Sequence, residues 1–315
     1  MLQGATSVIA TAYDHGDDKP SVGLTLDQMR AALLDPAGTL WIDLRSPTTD
    51  EWNAVMTGVL GLTAQQAEVL GGGLVDNRTE SDSGAAEPQH SPVRSNWVGL
   101  SGGEVAGREA LRIALPDGDA DHAATAGELA LLLGPNHLVT WHAGAPCVIE
   151  ELERAATSTE CLRRGADYVV IRCIAAALDR HAAALALLEA RGHAVEEHVA
   201  RLEADSVIGE ALEVGGGASK IRGDMQSLSS ALDELVSRPS AALRDANRVY
   251  YQAAGDRARR IAADSQGLER SMDRALAASG VVVRAHRWST LLALAALGMA
   301  ALAMAMLVWF VVLQQ

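Results

Sequence analysis

The chain has 315 residues, a formal net charge of −14 and a pI near 5.0. That acidity excludes a nucleic-acid surface and suits a partner that is a cation. Apolar residues make up 49% and aromatics only 3%, an Ala- and Leu-rich balance that favours helices packed through small side chains. The start, MLQGATSVIATAYDHGDD, lacks the basic residues and long apolar run of a signal peptide. Cys147, Cys161 and Cys173 form no CxxC pair and are expected to stay reduced in a cytoplasm.

In chain order, SVIATAY (7–13) alternates and is β-branched, which predicts a first strand. Thr25 caps a short helix, LDQMRAALL (26–34), closed by Asp35-Pro36 and Gly38. TLWIDL (39–44) is a compact apolar run with the look of a buried strand. Ser46-Pro47-Thr48-Thr49-Asp50-Glu51 opens a helix that runs to about Leu60, and Gln65–Leu70 adds a helical turn. Residues 71–92 read as a polar loop. SNWVGL (95–100) and ALRIAL (110–115) read as strands joined by the link SGGEVAGRE, which fits neither GxGxxG nor GxxxxGK[ST]. GELALLLG (127–134) and HLVTWHAG (137–144) bracket a turn at Pro135-Asn136. A mixed α/β domain over 1–150 results.

The pattern then turns helical. Cys147–Thr157 fits one short helix, and Ala166 to about Glu213 a long amphipathic one with Val170, Ile174, Leu178, Leu185, Leu188, Val195, Val199 and Leu202 on its apolar stripe. Gly215-Gly216-Gly217 is expected to end it, and Ser219–Val236 forms another helix stopped by Arg238-Pro239. No proline follows, so Ala241 onward reads as one helix about 110 Å long. Its stripe of Leu243, Tyr250, Ala254, Ile261, Leu268, Met272, Leu276 and Val283 has the spacing of a helix packed against copies of itself. The fold expected is α+β: an N-terminal α/β domain, an antiparallel helical stalk over 151–287, and a membrane helix over 288–313.

Trp288–Leu313 carries no charged residue and is long enough to cross a bilayer. Trp288 and Trp309 sit where aromatic rings favour the interface. Arg284, His286 and Arg287 precede the segment and nothing basic follows it, so the bulk of the chain is expected on the cytoplasmic side of the inner (plasma) membrane.

Asp245 and Asp256 lie eleven residues apart, about three helical turns, and share a face. Rings of these aspartates in an oligomer would offer a hard cation such as Mg2+ the oxygen ligands it takes. Asp256 with Arg260 also reads as an ordinary i,i+4 surface pair. Glu189, His193, Glu196, Glu197 and His198 cluster without the HExxH pattern and read as a solvated face. His137 and His142 read as loop residues with no nucleophile beside them, so no enzyme is expected.

TLWIDLRSPTTDEW, LALLLGPNHLVTWHAG and GADYVVIRCIAAALDRHAAALALLEARGHAVEEHV, in that order, resemble the CorA family of divalent-cation transporters. The resemblance implies a homopentamer whose long helices line a central pore for magnesium, cobalt or related ions. Thr290, Leu294, Gly298, Ala301 and Ala305 would then be pore-lining. The family carries two membrane helices joined by a Gly-Met-Asn loop. Here Gly298-Met299 is followed by Ala300, no asparagine occurs after Asn247, and no second apolar span is present. A pore ringed by Leu, Ala and Met would tend to dewet. Two readings follow: a CorA-type subunit that carries divalent cations, or a non-conducting, membrane-anchored oligomeric scaffold that senses a cation or other ligand through its cytoplasmic domain.

Overall fold

The computed structural model describes residues 8–14, 19–71, 102–116, 127–142, 159–201 and 204–279. They fall into two units, one made of the chain up to Leu185 with Lys220–Asp264, the other of Ala186–Ser219 with the chain from Ser265 onward.

The first unit holds a mixed seven-stranded sheet of order β2-β1-β3-β7-β6-β5-β4. Its strands are β1 (Val8–Tyr13), β2 (Ser21–Val22), β3 (Thr39–Arg45), β4 (Gly102–Val105), β5 (Arg108–Ala114), β6 (Glu128–Leu133) and β7 (His137–His142). Only β3 and β7 pair in parallel, from Leu40↔His137 to Arg45↔His142; the other ladders are antiparallel. A parallel pair at the centre is buried on both faces, which is why TLWIDL and HLVTWH read as continuous runs rather than alternating ones.

One sheet face presents Leu40, Ile42, Leu44, Leu132, Val139 and Trp141 to helices α1 (Leu26–Leu34), α2 (Thr49–Asn53) and α3 (Ala64–Gly71). Both expected caps form as reciprocal boxes, Thr25 with Gln28 and Thr48 with Glu51, each satisfying backbone donors the first turn cannot pair. The helix expected to reach Leu60 widens after Asn53 into a π-helical turn (Ala54–Val59), whose Gly58 carbonyl accepts from Arg30 Nε at 2.9 Å. Trp52 then stacks edge-on against Trp141 with centroids 5.3 Å apart.

The glycine-rich link differs from expectation. SNWVGL lies outside the described residues, and the link itself supplies β4, joined to β5 through Ala106-Gly107. Both turn residues have positive φ, 52° and 74°, the two-residue geometry whose twist matches a hairpin.

The helices are α4 (Thr159–Arg163), α5 (Ala166–Ala200), α6 (Ala204–Ser237) and α7 (248–279). The long helix breaks near residue 201, not at Gly215-Gly216-Gly217, which lies inside α6. Glycine costs about 1 kcal/mol per helical position. Buried Ala211, Val214, Ala218, Ile221, Met225 and Leu228 continue at three- and four-residue spacing straight through the triplet, and that packing outweighs propensity. The last helix begins later than Ala241, because Arg244 is extended and a 3-10 turn (Asp245–Asn247) precedes it.

In the second unit, α7 lies close to α5 at Gly192, where a Cβ would stand 2.8 Å from Leu268 Cδ1 and 3.2 Å from Met272 Cε. Leu268 and Met272 are buried there, as is Ile261 in the first unit, while Tyr251 rather than Tyr250 is the buried tyrosine. The chain's own helices thus cover much of the stripe assigned to self-association, and that stripe no longer argues for an oligomer.

Candidate functional site

Of the two aspartates expected from sequence to bind metal, Asp256 lies on α7 and Asp245 in the 3-10 turn just ahead of it, so what fixes the start of α7 comes first. Asp167, in the first turn of α5, is buried at 1% exposure amid donors. Its Oδ2 accepts from the Arg244 backbone N–H and from Asn247 Nδ2, both at 2.9 Å, and its Oδ1 from the Tyr168 N–H at 3.1 Å. Tyr251 donates its hydroxyl to the Asp167 carbonyl at 2.7 Å, and burial with the nearby carboxylate pushes that phenol well above its ordinary pKa. Gly165 makes room: its φ is 108°, and a Cβ would stand 2.4 Å from Arg244 Cζ. Two chain segments far apart in sequence are locked by one carboxylate. The extended Arg244 and the late helix start follow from that lock.

Asp245 and Asp256 sit beyond it on exposed positions. Asp245 pairs with Arg248 at 3.0 Å. Asp256 pairs with Arg259 at 2.7 Å, not with Arg260, and Arg259 also holds Asp233 at 2.7 Å. Among the described residues no three His, Cys, Asp or Glu side chains gather closely enough to hold a metal ion. Among the described residues, then, neither aspartate is joined by the further oxygen ligands that a divalent cation takes. Within the Glu189–His198 cluster, His193 pairs with Glu196 at 3.6 Å, Glu197 pairs with Arg201 at 3.1 Å, and Glu196 accepts from Ser271 Oγ.

His137 and His142 are not loop residues but the first and last residues of β7, and both are buried. Nε2 of His137 accepts from Arg108 Nε at 2.9 Å, and its Nδ1 meets Asn136 Oδ1 at 3.1 Å. Asn136 Nδ2 in turn donates to the Leu33 and Asp35 carbonyls. Burial, then the neighbouring Arg108 charge, lowers the His137 pKa to about 3, so the ring stays neutral and serves as an acceptor. His142 lies 3.7 Å from buried Asp43, whose carboxylate also takes Arg45 Nε at 3.1 Å and the Thr140 hydroxyl. Sequence reading passed over Asp43 and Asp167. The available signal was a carboxylate set inside an apolar run, as in TLWIDL and ADYVVI, which buries only with partners.

Cys147–Thr157, the loop at 71–92 and the pore-lining Thr290, Leu294, Gly298, Ala301 and Ala305 lie outside the described residues, as does the whole of Trp288–Leu313. Among the described residues no helix is long and apolar enough to cross a membrane.

A profile of the family described as CorA-like Mg2+ transporter protein matches residues 109–277, from β5 through nearly all of the described α7. The chain belongs to this family. A search of curated proteins finds no match. Among solved structures, the chain is similar to the full-length CmaX protein, with a TM-score of 0.67 at 13% identity over 92% of this chain and 82% of that one. The CorA magnesium transporter from Methanocaldococcus jannaschii gives a TM-score of 0.64 at 12% identity, over 89% and 78% of the two chains. The soluble domain of CorA from the same organism gives 0.61 at 10%, over 87% and 97%. At such identities the likeness is one of fold, and it is the mixed α+β fold of the CorA soluble domain.

Proposed function

We propose that this CorA-family chain carries divalent cations, magnesium first, as a homopentamer. Its sheet and helical stalk would lie in the cytoplasm, and Trp288–Leu313 would cross the inner membrane. The observation that carries this reading is the family match over 109–277, which spans the helices leading toward the apolar segment. The basic flank at Arg284, His286 and Arg287 supports the orientation. In this reading Asp245 and Asp256 face their counterparts on neighbouring stalks, and Mg2+ relieves the repulsion between those carboxylates. Thr290, Leu294, Gly298, Ala301 and Ala305 line the path.

The test is Mg2+ entry into liposomes that hold a magnesium-sensitive dye and the purified chain. Entry that saturates with Mg2+ and is absent from empty liposomes is expected. Correctly inserted protein of pentameric mass that admits no divalent cation overturns the proposal.

A further inference from the structure

In the first unit a cavity of about 180 Å³ opens between the ends of β5 and β6 and helices α5 and α6. Leu115 and Ile221, both buried, give it an aliphatic wall; Glu128, His181, Lys220 and Asp224 give it a polar one. His181 is buried at 1% exposure, and its Nδ1 lies 2.9 Å from the Ala177 carbonyl. A carbonyl only accepts, so Nδ1 carries a proton whether the ring is neutral or charged. Nε2 has no hydrogen-bond partner, and Asp224 Oδ2 stands 3.8 Å away, beyond hydrogen-bond reach. A buried polar atom left so is costly unless something in the cavity satisfies it. Glu128 is engaged by Arg112 at 3.1 Å. Asp224 and Lys220, four residues apart on α6, set opposite charges on adjacent turns of one helix face.

We propose that this cavity binds a small aliphatic α-amino acid as its zwitterion. The ligand ammonium sits against Asp224 Oδ2, its carboxylate against Lys220, and its side chain against Leu115 and Ile221. Lys220 opposes a bare cation and Asp224 a bare anion, so the two together favour a ligand that carries both charges. An ammonium has three donors, so Lys220 can take a further acceptor beside any it already holds. The zwitterion also satisfies His181 Nε2 in either protonation state. A lone pair there accepts from the ligand ammonium, and an N–H there donates to the ligand carboxylate. Size agrees with this class. At about 30 Å³ per water the cavity holds about six, room for a solute the size of valine or leucine and too little for a nucleotide. A bound amino acid would tie α5 and α6 to the ends of β5 and β6. The site is independent of the cation path proposed above.

The experiment is calorimetric titration of the detergent-solubilised full chain with L-valine, L-leucine and L-isoleucine at millimolar concentration. Saturable binding of at least one of them at one site per chain is expected, along with a rise in thermal stability. The amine and the acid that each lack one charged group of that amino acid (for leucine, isopentylamine and isocaproate) should bind at least tenfold more weakly. Asp224→Asn and Lys220→Gln should each weaken binding at least tenfold. Neither side chain is sealed from solvent, so both variants should melt like the parent without ligand, which separates lost recognition from lost fold. Affinity unchanged in both variants overturns the proposal. Amine or acid bound as tightly as the amino acid also overturns it, and that comparison on the unaltered chain does not depend on how the variants fold. A parent chain that binds none of the three amino acids overturns it too, and leaves the cavity to water.

Discussion

Two aspartates of the first unit, Asp167 where α5 meets the segment leading into α7 and Asp256 further along α7, behave oppositely. Asp167 is sealed from solvent and taken by three nitrogen donors of the described chain, whereas Asp256 stands on an exposed face with one arginine. Charge is the same in both; solvent access differs. In water an ion pair gains little, because hydration competes and salt screens it. In the buried joint the same carboxylate is the acceptor for the Arg244 N–H and Asn247 Nδ2, and losing it strands both. Structural weight therefore sits at Asp167, while Asp256 stays available for something outside the single chain.

The largest test of that contrast is Asp167→Ala. Two donors, the Arg244 N–H and Asn247 Nδ2, lose their acceptor at roughly 1–3 kcal/mol each, so a loss of about 2 kcal/mol or more is expected. Chemical denaturation of the purified chain measures it, and a loss below about 1 kcal/mol would erase the contrast.

Acid titration is next in size. The folded His137 pKa, about 3, lies below the unfolded value near 6.5, so the unfolded chain takes up the extra proton as pH falls. The stability this group contributes is whole above pH 6.5 and drains between there and pH 3, by up to about 1.4 kcal/mol per unit. His137→Gln, whose amide oxygen can still accept from Arg108, should flatten that segment of the stability–pH curve. An unchanged slope in the variant would show that other groups carry the acid response.

Tyr251→Phe sharpens the comparison by removing one bond from the buried joint while keeping the ring. About 1 kcal/mol of stability should go, with the fold intact by circular dichroism. Smallest is Asp256→Asn, expected to shift single-chain stability by no more than about 0.5 kcal/mol. If Asp256 faces its counterparts in an oligomer, the same variant should stabilise the metal-free assembly and abolish its thermal response to Mg2+. A loss near that of Asp167→Ala would make the two sites equivalent.

Much of the sheet was legible because burial on two faces writes itself as unbroken apolar runs, as in TLWIDL and HLVTWH. The caps at Thr25 and Thr48 were equally plain, since each depends on residues only three apart. The failures have one cause. At Gly215-Gly216-Gly217 a local propensity was read as decisive, though the stripe from Ala211 to Leu228 ran through it unbroken. At Ala241 nothing local announces the late start of α7, because the constraint is Asp167, more than seventy residues away. His137 was assigned to a loop because its partner Arg108 arrives from another strand. Of the candidate site, Asp256 does lie on the long helix, but Asp245, expected on the same helix face, falls in the 3-10 turn ahead of it.

Among the described residues the sheet's two outermost strands are short, Ser21–Val22 at one side and Gly102–Val105 at the other. Any strand at the rim of a sheet is a template on which a foreign strand can be laid, and brevity is one way natural proteins deny it. Lys19 and Pro20, just ahead of the first rim strand, add a charge and a missing N–H to that side. The described sheet thereby offers little rim through which copies of the chain could polymerise. Lengthening either rim with β-branched residues should turn a well-behaved subunit into an aggregation seed while leaving its interior untouched.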